Sequence, residues 1–228
     1  MKATGLIMCF LLMFSFWGNS QKFNDLINLG KYEKANSELP KPVNGEKRVV
    51  FIGNSITEGW AATRPDFFKT NNFIGRGIGG QTSPQLLSRF RQDVINLNPV
   101  AVIINIGTND IAENTGNYNI DFTVGNIISM AELAKANGIK VILSSVTPAD
   151  KYPWRKDIEN VASKINELNK RIKEYAMKNN IPYIDYYSVL HNDSGAMKKE
   201  YTTDGVHVTP KGYEIMEKAA KETIDKVL

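Results

Sequence analysis

The chain has 228 residues, of which 42% are hydrophobic and 23% are charged, and its formal net charge is +4. This length suits a single domain with a sizeable core, and the weak positive charge, without a basic cluster, argues against a nucleic acid partner. The sole cysteine, Cys9, excludes an internal disulfide and a cysteine-based metal site.

The first twenty residues predict a secretory signal peptide. One basic residue, Lys2, precedes a mostly apolar run over 5–17, and the small residues Gly18 and Ser20 follow it. The run is shorter than the roughly 20 residues of a membrane-spanning helix. We therefore expect removal of residues 1–20, a secreted or periplasmic protein, and no stable membrane insertion of the mature chain.

The rest of the chain divides into a short leading part and a main domain. Residues 21–46 predict an N-terminal helix and a linker that contains proline and glycine, which we expect to act as a lid or brace. Residues 47–228 form the predicted main domain. Its apolar runs cover 48–52, 72–76, 100–106, 139–146 and 182–186, and its helical patterns cover 82–96, 119–137, 157–179 and 210–228.

The apolar runs lack the period-two alternation of half-exposed strands. Such runs are typical of parallel strands that are covered on both faces. The sequence therefore predicts an α/β fold, a three-layer α/β/α sandwich around a five-stranded parallel sheet. Ligands bind beyond the carboxyl ends of the strands in sheets of this kind, so the loops at that edge are the place to look for chemistry.

The loop after the first strand contains Ser55, which allows two interpretations. Ser55 and Glu58 fit S-x-x-E, the capping box at the start of a helix. Alternatively, Ser55 is a nucleophile, which requires a base, an acidic residue that orients the base, and hydrogen-bond donors for the oxygen that becomes negative. The other loops at the same edge decide between the two.

Histidine is the usual base, and the chain has two. His191 lies in a sequence typical of a solvated turn. His207 follows Asp204 by three residues, and Gly205 between them permits a tight turn that directs both side chains the same way. His207 is therefore the candidate base.

Candidate donors follow the second and third strands. The second strand leads into Gly79-Gly80-Gln81-Thr82 and the third into Gly107-Thr108-Asn109-Asp110. The glycines alternatively permit only a tight backbone, and Asn109 alternatively caps a helix or forms a local turn.

These loops resemble the motif blocks of the SGNH, or GDSL-type, hydrolases. The matching blocks are Gly53-Asn54-Ser55-Ile56-Thr57, Gly79-Gly80-Gln81-Thr82, Gly107-Thr108-Asn109-Asp110 and Asp204-Gly205-Val206-His207, in that order within 49–213. The nearest branch comprises platelet-activating-factor acetylhydrolase-like and lysophospholipase-like esterases. The resemblance implies a flavodoxin-like SGNH hydrolase fold over 47–228 and an esterase that needs no cofactor and no metal.

The resemblance also implies a role for each site residue. Ser55 would be the nucleophile, His207 the general base and then acid, and Asp204 the residue that orients His207. The oxyanion hole would comprise the backbone N–H groups of Ser55 and Gly80 and the side-chain amide of Asn109.

Three points remain open in this comparison. The family motif has aspartate where this chain has Asn54, a change that we expect only to tune the surroundings of the serine. Either Gly79 or Gly80 could supply the N–H, and the sequence context favours Gly80. A backbone carbonyl could orient His207 instead of Asp204.

The substrate is predicted from loop aromatics and from secretion. Trp60, Tyr152, Trp154 and Arg155 are candidate substrate-binding residues, with simple loop packing as the alternative. We expect the substrate to be a small-molecule or polysaccharide ester with a short acyl group. The favoured case is an acetyl group on a carbohydrate. An acyltransferase with the same triad and a lysophospholipase-type lipid esterase are alternatives, and the oligomeric state is left open.

Two alternatives belong to other functional classes. One is a carbohydrate-binding protein without catalysis, which would not need His207. The other is a dinucleotide-binding turn, because Gly75, Gly77 and Gly80 match G-x-G-x-x-G. The acid that this motif needs about 20 residues later should end a strand, whereas Asp93 lies in a helical pattern.

Overall fold

The structure, a computed structural model, describes residues 23–228, so the predicted signal peptide lies outside the described residues. The chain forms two compact units, one ending at Leu39 and the other spanning Pro40–Leu228. In the first unit, residues 23–27 are helical. A 3-10 turn, Leu29–Tyr32, and a short helix, α1 (Glu33–Ser37), follow them.

The second unit contains a five-stranded sheet in which every pairing is parallel. Its strands are β1 (Val49–Gly53), β2 (Phe73–Gly77), β3 (Ala101–Asn105), β4 (Lys140–Ser144) and β5 (Tyr183–Ile184), in the order β2-β1-β3-β4-β5. Every residue of β1 and β3 is buried, as expected for strands covered on both faces. The predicted α/β fold with a five-stranded parallel sheet is therefore confirmed.

Helices connect the strands. They are α2 (Ser55–Thr63), α3 (Pro65–Thr70), α4 (Ser83–Asp93), α5 (Thr108–Ile111), α6 (Ile120–Ala136), α7 (Val161–Lys178), α8 (Tyr186–Leu190) and α9 (Pro210–Val227), with 3-10 turns at Ile95–Leu97 and Lys199–Tyr201. Across residues 23–228, no helix has both the length and the apolar character that crossing a membrane requires.

An aromatic cluster fills the core beside β1. Phe51 makes edge contacts with Trp60 and Phe68, at ring-centroid distances of 5.4 and 5.2 Å. Trp60 stacks on Phe67 and on Tyr213 and is only 2% exposed. The prediction that Trp60 lines the substrate pocket is wrong, because its ring is covered by these neighbours.

The strand register brings the site loops together. Gly53, the last residue of β1, pairs with Gly77 at the end of β2 and with Asn105 at the end of β3. The three loops that follow these strands therefore leave the sheet at the same level. β1 lies between β2 and β3, so the connections that lead to these two strands run in opposite directions across the sheet. Such a switch point opens a crevice for a ligand.

Gly77 shows how closely α2 approaches the sheet. A methyl group at Gly77 would lie 2.1 Å from the backbone nitrogen of Glu58 and 2.7 Å from the carbonyl oxygen of Asn54. Gly75 and Gly77 are both strand residues in β2. Their role here is close strand–helix packing, and they do not form the turn before a helix that a dinucleotide-binding motif requires.

Candidate active site

Ser55 is the first residue of α2, and the residue before it caps the helix. The side-chain oxygen of Asn54 accepts a hydrogen bond from Ile56 N–H at 3.0 Å. Because Asn54 supplies the cap, the capping interpretation of Ser55 is wrong. An aspartate oxygen would accept the same bond, so asparagine is compatible with the position that the family motif gives to aspartate.

Glu58, in α2, contacts the loop after β2. Its Oε2 accepts a hydrogen bond from Gly79 N–H at 2.6 Å. Glu58 thus holds the loop after β2 against α2, and a methyl group at Gly79 would lie 3.8 Å from the Cβ of Ser55.

Ser55, His207 and Asp204 form a continuous chain of hydrogen bonds. The Oγ of Ser55 lies 3.1 Å from His207 Nε2. On the other side of the ring, His207 Nδ1 lies 2.6 Å from Asp204 Oδ2. The structure therefore brings together three predicted residues that are up to 152 positions apart in the sequence.

The turn at 204–207 fixes the imidazole through several contacts. Asp204 Oδ1 accepts from the N–H groups of Val206 and His207, at 2.9 and 2.7 Å. Thr202 donates from its hydroxyl to the carbonyl of His207 at 2.7 Å and accepts from the N–H of Gly205. The sequence analysis did not identify Thr202, because a threonine five residues from the histidine gives no distinctive signal.

The carboxyl group of Asp204 remains ionised at moderate pH. Its partial burial alone would raise its pKa, but the hydrogen bonds from the side chain and N–H of His207 and from Val206 N–H outweigh that effect and lower the pKa below its usual value of 3.8. A carboxylate that stays charged can hold one tautomer of the neighbouring imidazole and stabilise its protonated form.

Several polar groups of the loop after β2 form hydrogen bonds with other segments, but one N–H does not. Gly79 N–H is used by Glu58, and the carbonyl oxygens of Gly80 and Gln81 accept from Asn114 and Asn109. Over residues 23–228, the N–H of Gly80 has no protein acceptor. Gly80 has a φ of +75°, a conformation that glycine adopts without strain.

Asn109 lies in the short helix α5 directly after β3 and is 2% exposed. Its Nδ2 donates to the carbonyl of Gln81 at 3.0 Å, and its Oδ1 accepts from Asn114 at 3.1 Å. A primary amide has two N–H groups, so one remains after the bond to Gln81. Neither a helix cap nor a local turn accounts for these contacts.

A buried arginine holds the two strand ends that carry the site. Arg89 in α4 donates to the carbonyls of Gly53 and Arg76 at 3.0 and 2.8 Å, and to the side chain of Gln81 at 2.6 Å. Its charge is balanced by Asp93 at 2.9 Å, and its side chain is fully buried. The sequence analysis missed Arg89, because the carbonyls and the glutamine side chain that it contacts lie outside its own helix.

The loop after β4 supplies one exposed aromatic ring. Trp154 is 42% exposed, and its ring centroid lies 6.1 Å from that of His207. Tyr152 packs behind Trp154 at 5.1 Å and is 1% exposed, so the prediction that Tyr152 contacts substrate is wrong.

Arg155 is occupied by protein partners. Its guanidinium donates to the carbonyls of Ala112 and Glu113, at 2.7 and 3.1 Å, and pairs with Asp157 at 2.7 Å. These contacts account for the guanidinium and do not support the prediction that Arg155 binds substrate. Its contacts instead attach the Trp154 loop to the segment after α5.

His191 lies away from this cluster. Its ring stacks on Tyr187 at 4.9 Å, and its Nδ1 is 2.7 Å from the carbonyl of Asn192. Among the described residues, no group of three or more histidine, cysteine, aspartate or glutamate side chains is arranged to hold a metal ion.

Residues 51–215 match the model of the GDSL-like lipase/acylhydrolase family. The chain belongs to this family. This GDSL-like acylhydrolase is a carboxylic ester hydrolase, so the non-catalytic and dinucleotide-binding alternatives are wrong.

The acylhydrolase is similar to several named proteins. It is 27% identical over 194 residues to the isoamyl acetate-hydrolyzing esterase 1 homolog of Bos taurus, and the match covers 74% of this chain and 78% of that protein. It is 24% identical over 241 residues to an acetylxylan esterase of Xylanibacter ruminicola, covering 88% of this chain but 47% of the longer protein. The crystal structure of a GDSL-like lipase from Bacteroides thetaiotaomicron superimposes with a TM-score of 0.87 at 58% identity, covering 89% of this chain and 99% of that one.

Proposed function

We propose that this acylhydrolase is a secreted esterase that removes short acyl groups, acetyl above all, from a carbohydrate through a Ser55–His207–Asp204 triad and an acyl-enzyme. The observation that carries the proposal is the unbroken hydrogen-bond chain from Ser55 Oγ through both ring nitrogens of His207 to Asp204 Oδ2.

The chemistry proceeds in two proton-balanced steps. As Ser55 Oγ attacks the ester carbonyl, its proton passes to His207 Nε2, and His207 then gives that proton to the departing alcohol. The acyl group remains on Ser55. Water next loses a proton to His207 and attacks the acyl carbon, and the proton returns to Ser55 Oγ as the carboxylic acid leaves.

Three donors serve the oxygen that becomes negative in both steps. They are the N–H of Ser55 at the start of α2, the N–H of Gly80 and the remaining amide N–H of Asn109. The positive end of the dipole of α2, a nine-residue helix, adds to their effect. Donors that are already oriented stabilise a transition state without reorganisation, and losing one costs about 10² to 10³ in kcat.

The substrate class rests on the surface beside the imidazole and on the relatives. Trp154 offers an exposed aromatic face at the site, and aromatic faces suit the apolar faces of sugar rings. Named relatives are an acetylxylan esterase and isoamyl acetate-hydrolyzing esterases. The signal-like sequence over 1–20 supports secretion.

The test is hydrolysis of p-nitrophenyl acetate by the mature chain and by its Ser55→Ala variant. We expect the variant to lose about 10⁴-fold or more in kcat, with an unchanged thermal midpoint because Asn54 holds the cap. A variant that keeps its esterase activity would refute the triad.

The acyl specificity needs its own measurement. We expect kcat/KM to fall steadily from acetate to octanoate esters and acetate to be released from acetylated xylan. A preference for long chains would favour a lipid esterase. Transfer of the acetyl group to an added sugar alcohol, in excess of hydrolysis, would favour an acyltransferase.

A further inference from the structure

Asn114 joins the oxyanion loop, Asn109 and the exposed Trp154. It lies just after α5, in the exposed stretch 114–117. Its Nδ2 donates to the carbonyl of Gly80 and to Oδ1 of Asn109, both at 3.1 Å. Its Oδ1 accepts from the indole N–H of Trp154 at 3.2 Å.

The polarity of this network is dictated by its ends. An indole nitrogen can only donate a hydrogen bond, and a backbone carbonyl can only accept one. The oxygen of Asn114 therefore faces Trp154, and its nitrogen faces Gly80 and Asn109. It follows that Asn109 turns its own oxygen towards Asn114 and its nitrogen towards Gln81, whose carbonyl also can only accept.

The orientation of the Asn109 amide matters for the reaction. With its nitrogen towards the site, the amide offers a donor to the developing oxyanion, whereas a rotated amide would offer an oxygen and repel it. The Oδ1 of Asn109 is buried, and losing its donor would leave an unpaired acceptor that favours other orientations.

We infer that Asn114 is a positioning residue, which holds the Asn109 amide and the Gly80 loop in the geometry of the oxyanion hole and fixes the Trp154 ring beside His207. One side chain thereby couples substrate binding at Trp154 to the donors that serve the reacting carbonyl. The inference rests on the proposed roles of Gly80 and Asn109.

Asn114→Ala and Asn114→Asp separate the two arms of the network. Alanine removes both arms, so we expect kcat to fall about 10- to 100-fold, less than for outright donor loss, and KM to rise severalfold. Aspartate keeps an acceptor for Trp154 but has no donor, so kcat should fall while KM stays within about twofold of the wild type. A fall in kcat in the uncharged alanine variant would show that the fall in the aspartate variant does not depend on its new charge.

A double-mutant cycle distinguishes positioning from a general structural effect. If Asn114 acts through Asn109, the double variant N109A/N114A should lose clearly less than the product of the two single losses. Asn117→Ala is the matched control, since Asn117 is exposed in the same stretch and should give wild-type kinetics. Wild-type kcat in Asn114→Ala, or strictly multiplicative losses, would overturn the inference, while a wild-type chain without esterase activity would overturn the proposed function itself.

Discussion

Capping of α2 and contact with His207 fall to two neighbouring residues, Asn54 and Ser55. Asn54 caps α2 through its side chain, and Ser55 is left to face His207. We expect Asn54→Ala to lower the free energy of unfolding by about 1 kcal/mol, whereas Ser55→Ala changes it by less than about 0.5 kcal/mol. Urea denaturation of both variants checks this, and equal losses would contradict the division.

The ionisation of Asp204 predicts the shape of the pH profile. Because its pKa is lowered below 3.8, Asp204 stays charged while the pH falls from neutrality and takes up a proton only below that value. Protonation of Asp204 therefore contributes no loss of kcat/KM while the pH falls from 7 to 5. We expect log(kcat/KM) to fall in this range with a slope of no more than one, the slope that a single general base gives. A slope of two in this range would show that the carboxylate titrates with the base.

At the scale of elements, α2 is held in place by how closely it approaches β2. A methyl group on Gly77 would meet backbone atoms of Glu58 and Asn54, which cannot rotate away. We expect Gly77→Ala to lower the free energy of unfolding by about 1 to 3 kcal/mol and to lower kcat as well, because α2 carries Ser55. The matched control is Gly125→Ala in α6, where a methyl group meets open space, and it should retain wild-type kcat.

The elements themselves could be predicted because the sheet is covered on both faces. Buried parallel strands leave unbroken apolar runs, so the sequence located all five strands to within two residues at each end. The motif loops then followed from the rule that parallel strands end at the same edge. The burial of Trp60 was also within reach, since it stands four residues after the buried Ile56 on the same face of α2.

The contacts around the site that the sequence analysis did not predict join distant segments of the chain. Glu58 contacts a loop 21 residues away, and Arg89 contacts the end of β1 36 residues away. Neither contact leaves a local pattern, because each depends on how α2 and α4 pack on the sheet. Arg155 was misjudged for a similar reason, since its two carbonyl acceptors lie 42 and 43 residues earlier in the chain.

At the scale of the whole molecule, the candidate active site lies at the carboxyl edge of the sheet, away from its amino edge. Lys140 begins β4 at the amino edge, where its ammonium donates to the carbonyl of Val227 at 2.6 Å. We expect Lys140→Ala to leave kcat and KM within about twofold of the wild type and to change the free energy of unfolding by about 0.5 kcal/mol or less. Steady-state kinetics and thermal denaturation test these two expectations. A large fall in kcat would show that the amino edge of the sheet does affect the candidate active site.

Since Asn54 carries the cap, we expect position 55 to tolerate replacement without loss of the helix. The only cysteine of the sequence is Cys9, in the predicted signal peptide. A Ser55→Cys variant of the mature chain would therefore present a single thiol, beside an imidazole, for attachment of a fluorophore or a spin label. Such a label would occupy the place proposed for the acyl group and report the surroundings of His207, in an otherwise thiol-free background.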